Sequence, residues 1–157
     1  MRVLVALVAT AFLTVGVSAF DYVMTFENPS NKEIDLYYIA SPIEEHLMGT
    51  VTPGGDLSHT VVAGQNFVMR SRADTFRTMI QIDDKDPDGA HEFKISFINL
   101  MGESASTLDI HYDDKVVGSA KINEPTTQGA FIHNRLTIKY MGNERLAVRA
   151  IPLKDEL

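Results

Sequence analysis

Short apolar runs recur along the chain at intervals of about ten residues, separated by clusters of Gly, Pro, Asn and Asp; this is the pattern of an all-β sandwich or barrel built from many short strands. Twelve segments carry it: Tyr22 to Phe26, Ile34 to Ile39, Leu47 to Val51, Leu57 to Val62, Phe67 to Arg70 and Phe76 to Ile82, then Phe93 to Ile98, Thr107 to Tyr112, Val116 to Ile122, Ala130 to Ile132, Leu136 to Tyr140 and Leu146 to Ile151. Alternation is clearest where Phe76, Thr78, Ile80 and Ile82 share one face against Arg77, Met79 and Gln81, with Met79 an apolar residue on the polar side. No segment keeps a helical period over a useful length. The expectation is one antiparallel β-sandwich domain over 20–152.

The break between Asp83 and Ala90 separates two stretches with a similar order of features. Phe26 and Asn28 recur as Phe97 and Asn99, and Met48-Gly49-Thr50 recurs as Val117-Gly118-Ser119 at an offset of 69 (118 minus 49). Phe67-Val68-Met69-Arg70 meets Leu136-Thr137-Ile138-Lys139 at the same offset. Two readings follow: a single sandwich whose strands and turns repeat as antiparallel sheets do, or two tandem related repeats, 20–82 and 91–152, packed together.

The ends read as addresses. Arg2 precedes an apolar run from Val3 to Val17 and small residues up to Ala19, a signal peptide over 1–19 with too few apolar residues to span a bilayer. Lys154-Asp155-Glu156-Leu157 is a retrieval tetrapeptide read in the secretory pathway. The pair predicts a soluble protein of the endoplasmic reticulum lumen, retrieved by the KDEL receptor, with no membrane span.

Composition narrows the chemistry. A formal charge of -7 argues against nucleic acid or anionic lipid as a partner. The chain has no cysteine, which excludes disulfide exchange and thiolate zinc sites even in a compartment that permits disulfides. Asn28-Pro29-Ser30 approaches a glycan acceptor, but proline in the middle position disqualifies it.

Leu36-Tyr37-Tyr38-Ile39, then Gly49-Thr50-Val51-Thr52-Pro53-Gly54-Gly55, then Gly64-Gln65-Asn66-Phe67-Val68-Met69 resemble the β domain of the von Hippel-Lindau tumour suppressor and its relatives over residues 25–73. The resemblance implies a β-sandwich scaffold and a peptide-binding surface. In that family a hydroxyproline peptide is held by a serine, a histidine and an aromatic residue; here those positions are Val61, Gln65 and Phe67. Val61 has no hydrogen-bonding group, so the scaffold carries over better than hydroxyproline recognition does. Without the family, Pro53 with Gly54 or Gly55 still reads as a tight turn and Gly64 as a second.

Three constellations could carry chemistry. Asp84, Asp86 and Asp88 with Gly89 and Glu92 have the early spacing of a calcium loop, but Ile95 stands where the bidentate carboxylate belongs. Calcium binding at Asp84, Asp86, Asp88 and Glu92 is therefore an expectation beside that of a solvated turn. His111, Asp113 and a later His133 mimic a two-histidine, one-carboxylate iron site. Tyr37 and Tyr38 could line a peptide surface, aromatic rings with a polar tip being suited to contacts. No nucleophile elbow, phosphate loop or zinc-protease motif occurs. The leading expectation is a noncatalytic luminal module that binds a protein or peptide, accessory to folding or modification of secretory proteins, through Tyr37, Tyr38, Pro53, Gly54, Gly55, Gly64, Gln65 and Phe67. The alternatives are a small metal-dependent enzyme and a calcium-binding protein.

Overall fold

In the computed structural model, residues 22–83, 93–101, 107–130 and 133–152 are described, and of Tyr22, Phe93, Ala130 and Pro152 the backbone alone. Residues 1–21, the acidic cluster from Asp84 to Glu92, and residues 153–157 with the expected retrieval tetrapeptide lie outside the described residues.

The alternating segments form twelve strands: β1 Tyr22–Glu27, β2 Ile34–Ser41, β3 Glu44–Val51, β4 Asp56–Val61, β5 Asn66–Ser71, β6 Arg77–Ile82, β7 Phe93–Asn99, β8 Leu108–Tyr112, β9 Lys115–Ala120, β10 Thr126–Ala130, β11 Arg135–Tyr140 and β12 Asn143–Pro152. They pair into two antiparallel six-stranded sheets, ordered β4-β1-β12-β11-β8-β9 and β10-β7-β6-β5-β2-β3. The chain is all-β, a sandwich of these two sheets. Sequence and structure differ most at β10, expected at 130–132: Thr126, Thr127, Gln128 and Gly129 give no apolar alternation. That strand is an edge held by pairing with β7.

Adding six to each strand number, modulo twelve, turns one sheet order into the other. The registers follow. Phe26 faces Leu57 as Phe97 faces Thr126; Leu36 faces Met69 and Gly49 as Ile110 faces Ile138 and Gly118; Phe67 faces Ile80 as Leu136 faces Val148. Each sheet is mixed in origin, because β1 and β4 sit with four strands of the second half and β7 and β10 with four of the first. The halves interleave rather than pack as two finished units.

Alternate residues meet between the sheets. Met24, Phe26, Ile34, Leu36, Phe67, Met69, Ile80, Ile95, Phe97, Ile110, Ile138 and Val148 form one buried cluster. Phe67 is its aromatic hub, with ring centroids 5.5 Å from Phe26, 5.7 Å from Tyr38 and 5.9 Å from His59.

Polar anchors occur in pairs. The Asn28 amide donates to the Val51 carbonyl at 2.9 Å and its oxygen accepts from Ser30 N at 3.0 Å. Asn99 donates to the Ala120 carbonyl at 3.4 Å and accepts from Met101 N at 2.9 Å. Both side chains are buried, so Asn28 is unavailable for glycosylation on structural grounds as well. At the opposite ends of the strands, Gly64 N donates to the Ile82 carbonyl at 2.7 Å with φ +94°, and His133 N to the Ala150 carbonyl at 2.8 Å with φ +75°.

Candidate functional site

Residues that alternate with the core positions make the two outer faces, and these faces differ. On the sheet containing β2, cross-strand partners set Leu47, Tyr37, Val68, Met79 and Ile98 in one row from edge strand β3 to β7. Leu47 is 56% exposed, Val68 is buried by its neighbours, and the other three are half-buried. Arg70 lies 4.4 Å above the Tyr37 ring and donates to Glu45 at 2.6 Å. That hydrogen bond lowers the Glu45 carboxyl below its ordinary range. Beside it, Arg72 holds Asp35 through two bonds of 3.1 and 3.0 Å, and Thr50 donates to the same carboxylate at 2.6 Å. The Arg72 contact, against the opposing effect of burial, lowers the Asp35 pKa.

The equivalent row on the other sheet is Val116, His111, Thr137, Ala147 and Glu27. Glu27 accepts from Arg135 at 3.0 Å and Arg149 at 3.3 Å. One outer face thus carries a continuous apolar row, and the other a mixed row in which His111, Thr137 and the ion-paired Glu27 interrupt Val116 and Ala147.

The contact residues singled out from sequence divide among four places. Tyr37 joins the apolar outer row. Tyr38, Gly64 and Gln65 line a cleft of about 680 Å³ with Ile39, Pro42 and Met79, between the β2–β3 hairpin and the β4–β5 turn. Gln65 accepts from Val62 N at 3.0 Å, which braces that turn. Pro53, Gly54 and Gly55 sit at the other end of β4, where Gly54 and Gly55 exchange backbone bonds with Asn28 at 2.8 and 3.0 Å. A six-residue strand of about 20 Å separates the two turns, so they do not form one surface. Phe67, expected in the contact surface, is a core residue with no exposed area, as is Val61.

Asp113 and Asp114 form the two-residue loop of the β8–β9 hairpin, with φ +49° and +64°, the left-handed pair of a type I′ turn. Among the described residues no three His, Asp or Glu side chains converge to hold a metal, and His111, Asp113 and His133 are no exception. His133 instead occupies the left-handed turn position that Gly64 fills in the first half.

Sequence reasoning missed Leu47, Val68, Met79 and Ile98 as members of one row. The available signal was Met79, an apolar residue breaking into the polar side of a strand. It also missed Arg145, whose side chain is 8% exposed, bonded to Asp74 at 3.0 Å and seated 4.6 Å above the Phe76 ring. An extra residue in β12, where the register with β11 shifts after Ile138, turns it inward.

No family model matches the chain, and no curated protein matches it significantly. The described residues contain no helix long and apolar enough to cross a membrane.

Proposed function

We propose that the protein is a noncatalytic binding module for a polypeptide partner in the endoplasmic reticulum lumen, accessory to folding or modification of secretory proteins. The observation that carries the reading is the unbroken apolar row Leu47, Tyr37, Val68, Met79 and Ile98, set against a counterpart on the equivalent face that His111, Thr137 and Glu27 interrupt. The row reaches solvent at Leu47 on the edge strand, with Tyr37, Met79 and Ile98 half-buried behind it, and an apolar row that opens to solvent at a sheet edge supports a contact surface there. The luminal address rests on the leader and on Lys154 to Leu157, which the KDEL receptor would read. Calcium at Asp84, Asp86, Asp88 and Glu92 would be a structural accessory to this role.

The test is proximity labelling in the lumen with the tail intact, comparing the wild type with Tyr37→Ser/Met79→Ser and with His111→Ser on the opposite face. The expected outcome is a reproducible set of neighbours that is lost in the first variant and kept in the second. A neighbour set identical in all three, or no better than a luminal control, would overturn the reading.

A further inference from the structure

Of the four edge strands, β3 and β9 are equivalent by register, and most of the exposed large apolar side chains among the described residues lie on their hairpins: Ile43 and Leu47 on one, Tyr112, Val116 and Val117 on the other. Each edge has a bulge at the same place, before Gly49 and before Gly118. At each, a strand of the opposite sheet crosses close above the glycine. A Cβ on Gly49 would meet Leu57 Cδ1 at 2.6 Å, and one on Gly118 would collide with Gln128 and Thr126.

What crosses is not the same. On β9 the edge is covered by hydrogen bonds: Gln128 donates to the Val117 carbonyl at 3.1 Å and Thr126 to the Ser119 carbonyl at 2.8 Å. The matching residues over β3 are His59 and Leu57, paired to Met24 and Phe26 as Gln128 and Thr126 are to Ile95 and Phe97. Leu57 has no donor, and His59 turns its ring onto Phe67. The Met48 and Thr50 carbonyls receive no side-chain cap from β4.

We propose that, of this equivalent pair, β3 is the open edge and takes up an extended peptide as a seventh strand, while β9 is closed by its own chain. Such an addition supplies main-chain bonds for affinity and side-chain positions for choice. Leu47 and Glu45 share the outer face, two residues apart. The peptide therefore places an apolar side chain beside Leu47, extending the row from Ile98, and a Lys or Arg two positions away beside Glu45, whose carboxylate is 39% exposed and accepts from Arg70 through one oxygen, leaving the second for the peptide. Glu44, 58% exposed although His46 lies 3.3 Å from it, and the chain's charge of -7 favour a basic peptide further. A second copy of β3, paired antiparallel along its whole length, would set Glu45 opposite Thr50 and Leu47 opposite Met48, and is the competing occupant that sedimentation tests. This inference rests on the polypeptide-binding reading and specifies its edge and its ligand.

The test uses two fluorescein-labelled nine-residue peptides, one alternating Val and Lys with Thr, the other with Glu in place of Lys, titrated against the full mature chain with hydrogen exchange of the bound state. The expected result is at least tenfold tighter binding of the basic peptide at low salt, with new protection in 44–51. Leu47→Asp abolishes it and Val116→Asp does not. His59→Gln, which copies the Gln128 cap onto β3, weakens binding severalfold, and Gln128→Ala opens a second site so that stoichiometry rises from one towards two. Protection at 115–120, or indifference to Leu47→Asp, overturns the edge assignment and leaves the binding reading standing. No binding of either peptide, or a β3-paired dimer in sedimentation, overturns the inference, whereas the binding reading itself falls only with the labelling experiment.

Discussion

The two outer faces sit on sheets with equivalent strand orders, registers that match through most of their pairs and many of the same polar contacts, yet they carry different side chains. Thr50 bonds Asp35 as Ser119 bonds Asp109, and Thr25 meets Ser58 as Ser96 meets Thr127. These matched contacts tie neighbouring strands together, each joining direct cross-strand partners. Across the same positions Tyr37 stands opposite in role to His111, Val68 to Thr137, Met79 to Ala147 and Ile98 to Glu27. What repeats is what the fold needs, and what departs from the repeat is where a surface is free to specialise.

The comparison can be broken from the inside outward. Phe67→Ala should cost about 4 kcal/mol in chemical denaturation and Leu136→Ala, its counterpart in the second half, about 3 kcal/mol, because each leaves a cavity in a shared core. If either were neutral, the interleaved core would not be one cooperative unit. Asn28→Ala and Asn99→Ala should each cost about 2 kcal/mol, since a buried carbonyl and a turn N–H lose their partner together. Arg145→Leu, which has no counterpart in the first half, should cost about 2 kcal/mol through the lost ring contact and ion pair. Gly64→Ala should cost about 1 kcal/mol from backbone strain alone, as no atom stands within 4 Å of the added carbon.

The smallest effect is one of pH. Asp35 is depressed by Arg72, so its contribution is present above the unfolded carboxyl pKa and is lost as pH falls through the lower folded value. Asp74 moves the same way: burial would raise it, but Arg145 and the Phe76 and Ser71 contacts outweigh that. Melting temperature should therefore fall on acidification below about pH 4, less steeply in Asp35→Asn. An acid limb unchanged by that substitution would remove Asp35 from the account.

Much of the sandwich was legible because its strands alternate and its turns are punctuated by Gly and Pro. The Asn28 and Asn99 match and the Gly49 and Gly118 match were visible as residue identities, and they turn out to occupy equivalent buried bonds and equivalent bulges. Other equivalences were hidden by substitution. His133 does for one turn what Gly64 does for the other, and a histidine invites a chemical reading before a conformational one. The apolar row could not be read, since its five members come from five strands and only the pairing brings them together. Arg145 was hidden for a related reason: a bulge reverses the direction that alternation assigns.

Interleaving also sets a timetable for biosynthesis. β1 pairs with β12 along its whole length, Tyr22 beside Pro152 and Glu27 beside Ala147. On a ribosome adding roughly 5–20 residues per second, the interval between those strands is on the order of ten seconds, during which Met24 and Phe26 wait without the neighbour that buries them. Neither half can complete a sheet before the other is made, so the nascent first half presents apolar strand edges to whatever meets it, and productive folding is a late, whole-chain event with the slow kinetics of long-range pairing.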